Sequence, residues 1–261
     1  PNICSYCNAE FKIEKLLQYA EKFSCNYIAT GHYAQKNGSL IGIAKDSWKD
    51  QSFMLYRLNE KQREKLLLPL GQKMKDEVKN FVQQCGYEEI ANKRESFGLC
   101  FTNGKHYSEF LLEKYPELKK LENGKVFNKN NQVIGTHKGY PFYTIGQYKG
   151  LNCEGKQYIN KIIAEENAIF VGEKSECYFS ILRLNSLVFS QNIENIKLNT
   201  QYLTKIRGKD EGSFATLREI SPNHSIIEFS QRVFAPMQGQ DVVVYDENNF
   251  ILFGGRIESF S

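Results

Sequence analysis

The sequence predicts an α/β segment at the N-terminus and an all-β segment at the C-terminus, with a small domain of mixed composition between them. Apolar residues in the range 13–20 follow the i, i+3, i+4, i+7 spacing of one helix face, and a short apolar run follows over residues 26–30. Beyond about residue 180, strand-like segments succeed one another at close spacing. Strands spaced in this way are typical of a small barrel or sandwich.

The N-terminal helix and strand are predicted from local patterns. Asn8 is a residue type that favours the N-cap position, so we expect the helix to begin just after it. The run Asn26–Thr30 has the composition of a short buried strand, and it ends at Gly31 and His32. In an open α/β sheet, ligands bind beyond the carboxyl ends of the strands. Gly31 and His32 are therefore candidates for a binding site.

A second strand and a second helix are expected within the first hundred residues. Leu40–Ala44 is a short apolar run, which favours a strand. Apolar residues over 78–85 repeat the helical spacing, and Gly86 follows where a left-handed C′ residue commonly ends a helix.

The C-terminal third has the pattern of an antiparallel sheet. Two apolar runs, residues 242–245 and 250–253, are joined by the polar residues 246–249, which predicts a hairpin with a four-residue turn. Further strands are expected over residues 179–187, 201–207, 214–220 and 225–229.

Charge, hydropathy and cysteine content narrow the class of protein. The 261 residues include 34 basic and 30 acidic side chains, and a net charge of +4 does not by itself indicate a nucleic-acid ligand. The apolar runs are too short for a transmembrane helix, and no export signal is seen. Seven cysteines, an odd number, argue against a disulfide framework and favour a reducing cytoplasm.

Cys4 and Cys7 form a C-x-x-C pair with three interpretations. The pair is half the ligand set of a structural zinc site, but no second C-x-x-C occurs and the four histidines are scattered. In the second interpretation the two cysteines are incidental. In the third they carry redox or nucleophilic chemistry, because a position near a helix N-terminus favours the thiolate of Cys7. Spacing alone leaves all three open.

Cys100 lies in the segment Ser96–Phe101 and has two interpretations. Free cysteine is among the most buried residue types, and Cys100 stands between two large apolar neighbours. Alternatively it is a reactive thiol, since Gly98 permits a sharp loop and Lys93 and Arg94 are close enough in sequence to stabilise a thiolate.

Two further segments are candidates for contact with RNA. Lys49–Ser52 is either a solvated turn that caps a helix or a loop that contacts phosphate or ribose. Phe142–Gly150 mixes aromatic residues, glycine and lysine. It is either a core strand followed by a turn, or a surface for base stacking and phosphate contact.

Five motifs in one order give the chain a resemblance to a known family. Each motif is weak alone, but together they are specific and span essentially the whole chain. The motifs are Pro1–Asn8, Ala29–Ala34, Lys49–Ser52, Ser96–Phe101 and Phe142–Leu151. With these motifs the chain resembles the bacterial tRNA-specific 2-thiouridylase (MnmA/TrmU) family.

The resemblance implies a chain of three domains. Residues 1–111 correspond to the C-terminal part of an adenine-nucleotide α-hydrolase-like domain of the ATP-pyrophosphatase type, residues 112–178 to a small central domain that contacts tRNA, and residues 179–261 to a C-terminal β-barrel. The family's Ser-Gly-Gly-x-Asp-Ser phosphate loop does not occur in the sequence, which opens at Pro1 rather than Met. We expect that loop in a segment upstream of Pro1.

The resemblance also implies an ATP-dependent sulfurtransferase that 2-thiolates the wobble uridine of tRNA. In that reaction ATP, accompanied by Mg²⁺, adenylates the C2 oxygen of the uridine. A persulfide on the cysteine that matches Cys100 supplies the sulfur, and a sulfur-relay donor protein delivers it. Cys7 matches the cysteine that resolves the persulfide through a transient disulfide with Cys100. The implied enzyme is cytoplasmic, with no membrane partner and no metal site of its own.

Contact positions are carried over one residue at a time. Gly31 matches a position that contacts ATP. Cys4 stands where some members carry a catalytic aspartate, Ile3 where many carry proline, and Gly208 where an aromatic residue or histidine is common. The positions that match tRNA contacts are Asn2, Ile3, Cys4, His32, Lys49, Asp50, Gln51, Arg207, Gly208 and Gln240.

Two rival functions stay open on the sequence alone. A catalytically inactive tRNA-binding protein is supported only by the missing phosphate loop. A zinc-stabilised tRNA-binding protein would use Cys4 and Cys7 as ligands and bind about one zinc ion per chain.

Overall fold

The chain divides into two compact units, and the first joins residues from both ends of the sequence. The computed structural model describes residues 3–93, 100–102, 104–153 and 155–261. The first unit comprises residues 1–93, 180–233 and 238–261, and the second comprises residues 94–179 and 234–237. The bounds of the three domains predicted from the sequence stay a prediction.

The first unit opens with a helix that contains a π-helical stretch. The α-helical segments Cys4–Tyr6 and Ile13–Lys22 flank a π-helical segment, Cys7–Lys12, without a break. The predicted start of the helix after Asn8 is wrong, because Asn8 lies inside the helix and its side-chain amide donates to the Met54 carbonyl at 3.0 Å. Short π-helical turns within α-helices are frequent at functional sites.

A short parallel pair of strands marks the α/β part of this unit. Ile28–Ala29 pairs in parallel with Leu66–Leu67, and Gly31 follows the first of these strands as predicted. A hairpin pairs Gln35–Asn37 with Leu40–Gly42, which confirms the second predicted strand.

Several helices complete the N-terminal part. The predicted helix over residues 78–85 is confirmed as Lys75–Gln84, and Gly86 adopts a left-handed φ of +84° just beyond it. Helix Glu60–Lys65 begins at a capping box in which the Asn59 side chain accepts the Gln62 N–H at 2.9 Å. Short helical turns occupy Ser47–Lys49, Ser52–Leu55 and Glu88–Asn92.

The C-terminal strands close a six-stranded barrel, which confirms the predicted barrel. Asp241–Tyr245 and Ile251–Phe260 pair in antiparallel fashion and form the predicted hairpin. Around the barrel the order is Gln201–Lys205, Ser213–Ile220, His224–Phe234, Tyr178–Phe189, Ile251–Phe260 and Asp241–Tyr245, and the last strand pairs with the first.

The barrel and the N-terminal segment share one hydrophobic core. Tyr245 and Ile251 of the barrel lie in the same buried cluster as Phe53 and Tyr56. A Cβ at Gly254 would overlap the Tyr56 ring, so the glycine allows this tyrosine to pack directly on the barrel strand. Burying a large apolar side chain stabilises a fold by about 1.5–3 kcal/mol. Removing the barrel would therefore expose the core of the N-terminal segment.

The second unit is built on a four-stranded sheet. Its core contains Val126, Tyr143, Ile159, Ile169 and Val171. The sheet order is Val133–His137, Gly124–Phe127, Ala168–Gly172 and Tyr158–Ile163, and helix Tyr107–Lys114 precedes it in the chain. Among the residues that the structure describes, no helix combines the length and apolar character needed to cross a bilayer.

Candidate functional site

Cys4 and Cys7 lie in the first turn of the N-terminal helix. The Cys7 N–H donates to the Ile3 carbonyl at 3.0 Å. Helical residues three apart share a face, so the two sulfurs lie on the same side of the helix. Both residues are half-buried and neither forms a disulfide. Ile3 is exposed, and Asn2 lies outside the described residues.

Cys100 is exposed in the short turn Cys100–Thr102. Its interpretation as a buried hydrophobic residue is therefore wrong. The preceding residues 94–99, with Gly98, lie outside the described part of the chain. Cys7 belongs to the first unit and Cys100 to the second. Cys25 and Cys85 are also exposed.

A buried carboxylate of the barrel holds the cysteine-bearing helix. The Ser5 hydroxyl donates to Asp241 Oδ2 at 2.5 Å, and the Tyr56 hydroxyl donates to Asp241 Oδ1 at 3.0 Å. Burial raises the pKa of Asp241. The pKa of Tyr56 is raised as well, first by burial and then by the charge of Asp241. Beside them the Arg57 guanidinium lies 3.9 Å from the centroid of the Tyr6 ring. Sequence reasoning missed this cluster because Ser5 and Asp241 are 236 positions apart.

Gly31 borders open space at the carboxyl end of its strand. Among the residues that the structure describes, a Cβ at Gly31 would meet only the Leu70 side chain, at 3.8 Å. The position therefore fits a ligand that approaches the backbone closely, as a nucleotide does. Within the described residues, no group of three or more His, Cys, Asp or Glu side chains is arranged to hold a metal ion. Within the described residues, no further side chains are placed to complete a zinc site with Cys4 and Cys7, so the zinc interpretation is not favoured.

His32 is buried next to Gly31 and is held in its neutral form. Its Nδ1 lies 2.8 Å from Thr30 Oγ1. The pKa of His32 is lowered to about 4, mainly because the ring is buried and secondly because of the charge of Lys12. At neutral pH the ring therefore offers a neutral donor or acceptor.

The buried histidine predicts a pH dependence of stability. The unfolded chain binds a proton on His32 near the ordinary pKa of 6.5, whereas the folded chain binds it only near 4. Protonation therefore favours unfolding between these values, and the free energy of unfolding should fall by up to about 3 kcal/mol as pH drops through this window. In urea titrations, His32→Gln should remove most of that pH dependence. His224→Gln, at an exposed histidine, should leave it intact.

Asp50 is the centre of a buried polar cluster rather than part of a solvated turn. Its Oδ1 accepts the backbone N–H groups of Ala44 and Ser52 at 3.0 and 3.1 Å. Its Oδ2 accepts the Lys205 ammonium at 2.8 Å and the Ser52 hydroxyl at 3.0 Å. That hydroxyl also lies 3.0 Å from the Tyr245 hydroxyl. The cluster ties the loop after Leu40–Gly42 to the barrel.

A cavity of about 670 Å³ brings two predicted contact segments together. Lys49 and Asp50 line it from the N-terminal segment, and Gly208 lines it from the barrel. Arg207 is exposed next to Gly208, whereas Gln51 accepts the Tyr33 N–H at 3.1 Å through its side-chain oxygen. The complete lining is Ile43, Ser47, Trp48, Lys49, Asp50, Lys205, Gly208, Lys209, Asp210, Glu211 and Asn249.

Gln240 and Gly208 have distinct surroundings in the barrel. The side-chain oxygen of Gln240 is buried and lacks a hydrogen-bond partner in the described structure. A Cβ at Gly208 would overlap the end of the Met54 side chain. A larger residue at this position would require only the flexible end of Met54 to move.

The segment Phe142–Gly150 belongs to the second unit and forms turns and irregular backbone, so its interpretation as a core strand is wrong. Tyr143 is a core residue whose hydroxyl donates to the Gly150 carbonyl at 2.8 Å. Tyr148 is exposed instead, and the ammonium groups of Lys149 and Lys156 lie 5.7 and 4.9 Å from its ring centroid. An aromatic ring beside two cations is suited to contact with RNA.

Comparison with known proteins identifies relatives of nearly the whole chain. A family model described as the tRNA methyl transferase HUP domain matches residues 1–104, and the tRNA methyl transferase PRC-barrel domain matches residues 108–173. A protein of Cytophaga hutchinsonii named tRNA-specific 2-thiouridylase MnmA is 33% identical over 99% of this chain and 72% of its own length. The chain belongs to the tRNA-specific 2-thiouridylase family.

Further members support the same assignment. The tRNA-specific 2-thiouridylase MnmA 1 of Clostridium tetani is 36% identical over 99% of this chain and 72% of its own length. MnmA of Halothermothrix orenii is 36% identical over 98% of this chain and 72% of its own length. The family, the fold class and the enzyme class predicted from the sequence are confirmed.

Proposed function

We propose that the protein is an ATP-dependent sulfurtransferase that replaces the C2 oxygen of the wobble uridine of tRNA with sulfur. The observation that carries the proposal is the convergence of Lys49 and Gly208 on one cavity, in a chain whose relatives are named tRNA-specific 2-thiouridylases. These two residues are far apart in sequence, and both match positions of tRNA contact. The exposure of Cys100 supports its role as the sulfur carrier.

Cys100 and Cys7 divide the sulfur chemistry between them. The Cys100 thiolate accepts the outer sulfur of a donor protein's persulfide, and its terminal sulfur then bonds to C2 while the oxygen departs. ATP, when bound next to Gly31, supplies the adenylyl group that makes this oxygen a leaving group. The Cys7 thiolate attacks Cys100 Sγ, and the electron pair of the broken S–S bond passes to the sulfur on C2. An external dithiol then reduces the Cys7–Cys100 disulfide.

The helix geometry supports the role of Cys7. Ser5, two residues before Cys7, is fixed by Asp241 at 2.5 Å. The first turn is therefore anchored from the barrel, which limits the loss of entropy when a substrate is positioned against the sulfur. Cys4 is proposed to face the target base from the same helix side, where some family members carry a carboxylate.

The proposed activity is tested by thiouridine formation. Full-length protein is incubated with a tRNA transcript, ATP and a persulfide donor, and thiolated RNA is detected by its retarded migration in a mercury-containing gel. We expect a retarded band with wobble uridine only, and only with ATP. A band that is equally strong without ATP, or with cytidine at the wobble position, would contradict the proposal.

The proposed tRNA surface predicts a change in the salt dependence of binding. Each phosphate neutralised by Lys or Arg contributes about 0.7–0.9 to the slope of log K against log salt concentration. Lys49→Ala and Arg207→Ala should therefore each weaken tRNA binding and flatten the slope by about one unit. Lys61→Ala, at an exposed lysine on helix Glu60–Lys65, is the matched control. Unchanged slopes in both test variants would remove the cavity region from the tRNA surface.

A further inference from the structure

Trp48 is the chain's single tryptophan, and its side chain is 84% exposed. Tryptophan is highly buried on average, because its ring system carries a large apolar surface. Exposed apolar residues that are scattered singly need no explanation. Trp48 is different, since it lines the cavity that Lys49 and Gly208 also line.

The turn that carries Trp48 is held rigidly on both sides. The Lys49 N–H donates to the Asp46 carbonyl at 3.0 Å within the turn Ser47–Lys49. The buried Asp46 carboxylate accepts the Lys75 N–H at 2.9 Å, and the buried Asp50 carboxylate is held as described above. A side chain on a turn that is fixed in advance loses less entropy on binding a ligand. The fold thus presents an exposed indole on a preorganised support.

The lining of the cavity favours a nucleobase over an apolar protein segment. Protein-binding tryptophans usually sit in interface centres that are depleted of charged residues. Here the indole is accompanied by the cations Lys49 and Lys209, by the carboxylates of Asp210 and Glu211, and by the polar amide of Asn249. Unpaired RNA bases stack on aromatic rings while their edges exchange hydrogen bonds with polar side chains and their phosphates approach cations. The cavity provides all three kinds of group.

We propose that this cavity takes one unpaired nucleotide of the tRNA, with its base stacked on Trp48. The inference rests on the proposed function, since it names the part of the tRNA that this surface recognises. Trp48 is a positioning residue: it holds the RNA by stacking and takes no part in the transfer of sulfur.

The test uses the single tryptophan as its own reporter. tRNA is titrated into the 261-residue chain while the tryptophan emission is recorded, corrected for the absorbance of the RNA, and the affinity is measured independently by filter binding. We expect saturable quenching with the same dissociation constant as filter binding. Trp48→Ala should weaken tRNA binding by about 5- to 150-fold, the range expected for loss of one base stack. The salt slope should not change, because the indole neutralises no phosphate.

Matched variants separate the possible outcomes. Trp48→Phe should retain most of the affinity, and Phe81→Ala, at an exposed aromatic residue outside the cavity lining, should retain all of it. If the wild-type chain binds tRNA but Trp48 emission and the affinity of Trp48→Ala are both unchanged, this inference is wrong while the proposed function stands. The inference would also be overturned if Trp48→Ala weakened the binding of a protein partner and left the affinity for tRNA unchanged. If full-length wild-type protein fails to bind tRNA at all in filter binding, the proposed function itself fails.

Discussion

Replacing Cys100 by serine is expected to abolish thiouridine formation and to leave tRNA affinity and its salt slope unchanged. Serine cannot carry a persulfide, so no sulfur reaches C2, whereas the cationic contacts with phosphate are untouched. Because Cys100 is exposed, its replacement should not unfold the chain. The measurements are the mercury-gel assay and filter binding with full-length protein.

The other exposed cysteines provide matched controls. Cys25→Ser and Cys85→Ser change thiols that are also exposed and should retain wild-type activity. Cys7→Ser should give a different defect, since the linkage between Cys100 and the RNA then lacks its resolving thiolate. Such a variant should accumulate protein joined to tRNA through sulfur, and added dithiol should release it. Thiolation at the wild-type rate by Cys100→Ser would exclude the persulfide mechanism at this residue.

Local patterns predicted those elements that local interactions determine. The helical spacing over residues 78–85 and the left-handed Gly86 were sufficient to find helix Lys75–Gln84. The apolar runs 242–245 and 250–253 were sufficient to predict the barrel hairpin formed by Asp241–Tyr245 and Ile251–Phe260. In both cases the turn chemistry and the period of the apolar residues agree within one short window.

The start of the first helix could not be found in this way. A helix N-cap preference suggested Asn8, but the Asn8 amide is used to bind the Met54 carbonyl, 46 positions away. A π-helical segment also departs from the 3.6-residue period on which the prediction relied. Tertiary contacts therefore overrode the local preference, as they also did at Ser5 and Asp241.

The candidate site was only partly predictable for the same reason. The family motifs identified Lys49 and Asp50, but no local signal showed that Asp50 is buried against Lys205, 155 positions further on. Trp48 carries no family motif, and its exposure follows from the turn that Asp46 and Asp50 hold. Candidate reactive residues such as Cys100 could be predicted from the sequence. The role of Trp48, which depends on where the fold places its side chain, could not.

The ion pair between Asp50 and Lys205 leads to the prediction with the largest effect on stability. The two side chains are 1% and 5% exposed, and their charged atoms are 2.8 Å apart. Removing one partner of a buried pair leaves an uncompensated charge and typically costs about 3–5 kcal/mol. Asp50→Ala should therefore lower the free energy of unfolding by about this amount, a large part of the 5–15 kcal/mol that is typical of a folded domain. Urea unfolding followed by circular dichroism measures it.

A double-mutant cycle distinguishes the ion pair from the other roles of Asp50. Asp50→Asn keeps an oxygen for the N–H groups of Ala44 and Ser52 but removes the negative charge, and Lys205→Met removes the positive charge. If the pair is coupled, the double variant should lose less stability than the sum of the two single variants. Glu228→Gln breaks the half-exposed pair with Arg218 and should cost about 1 kcal/mol or less. Additive losses in the cycle would mean that the backbone hydrogen bonds of Asp50, and not its charge, tie the Trp48 turn to the barrel.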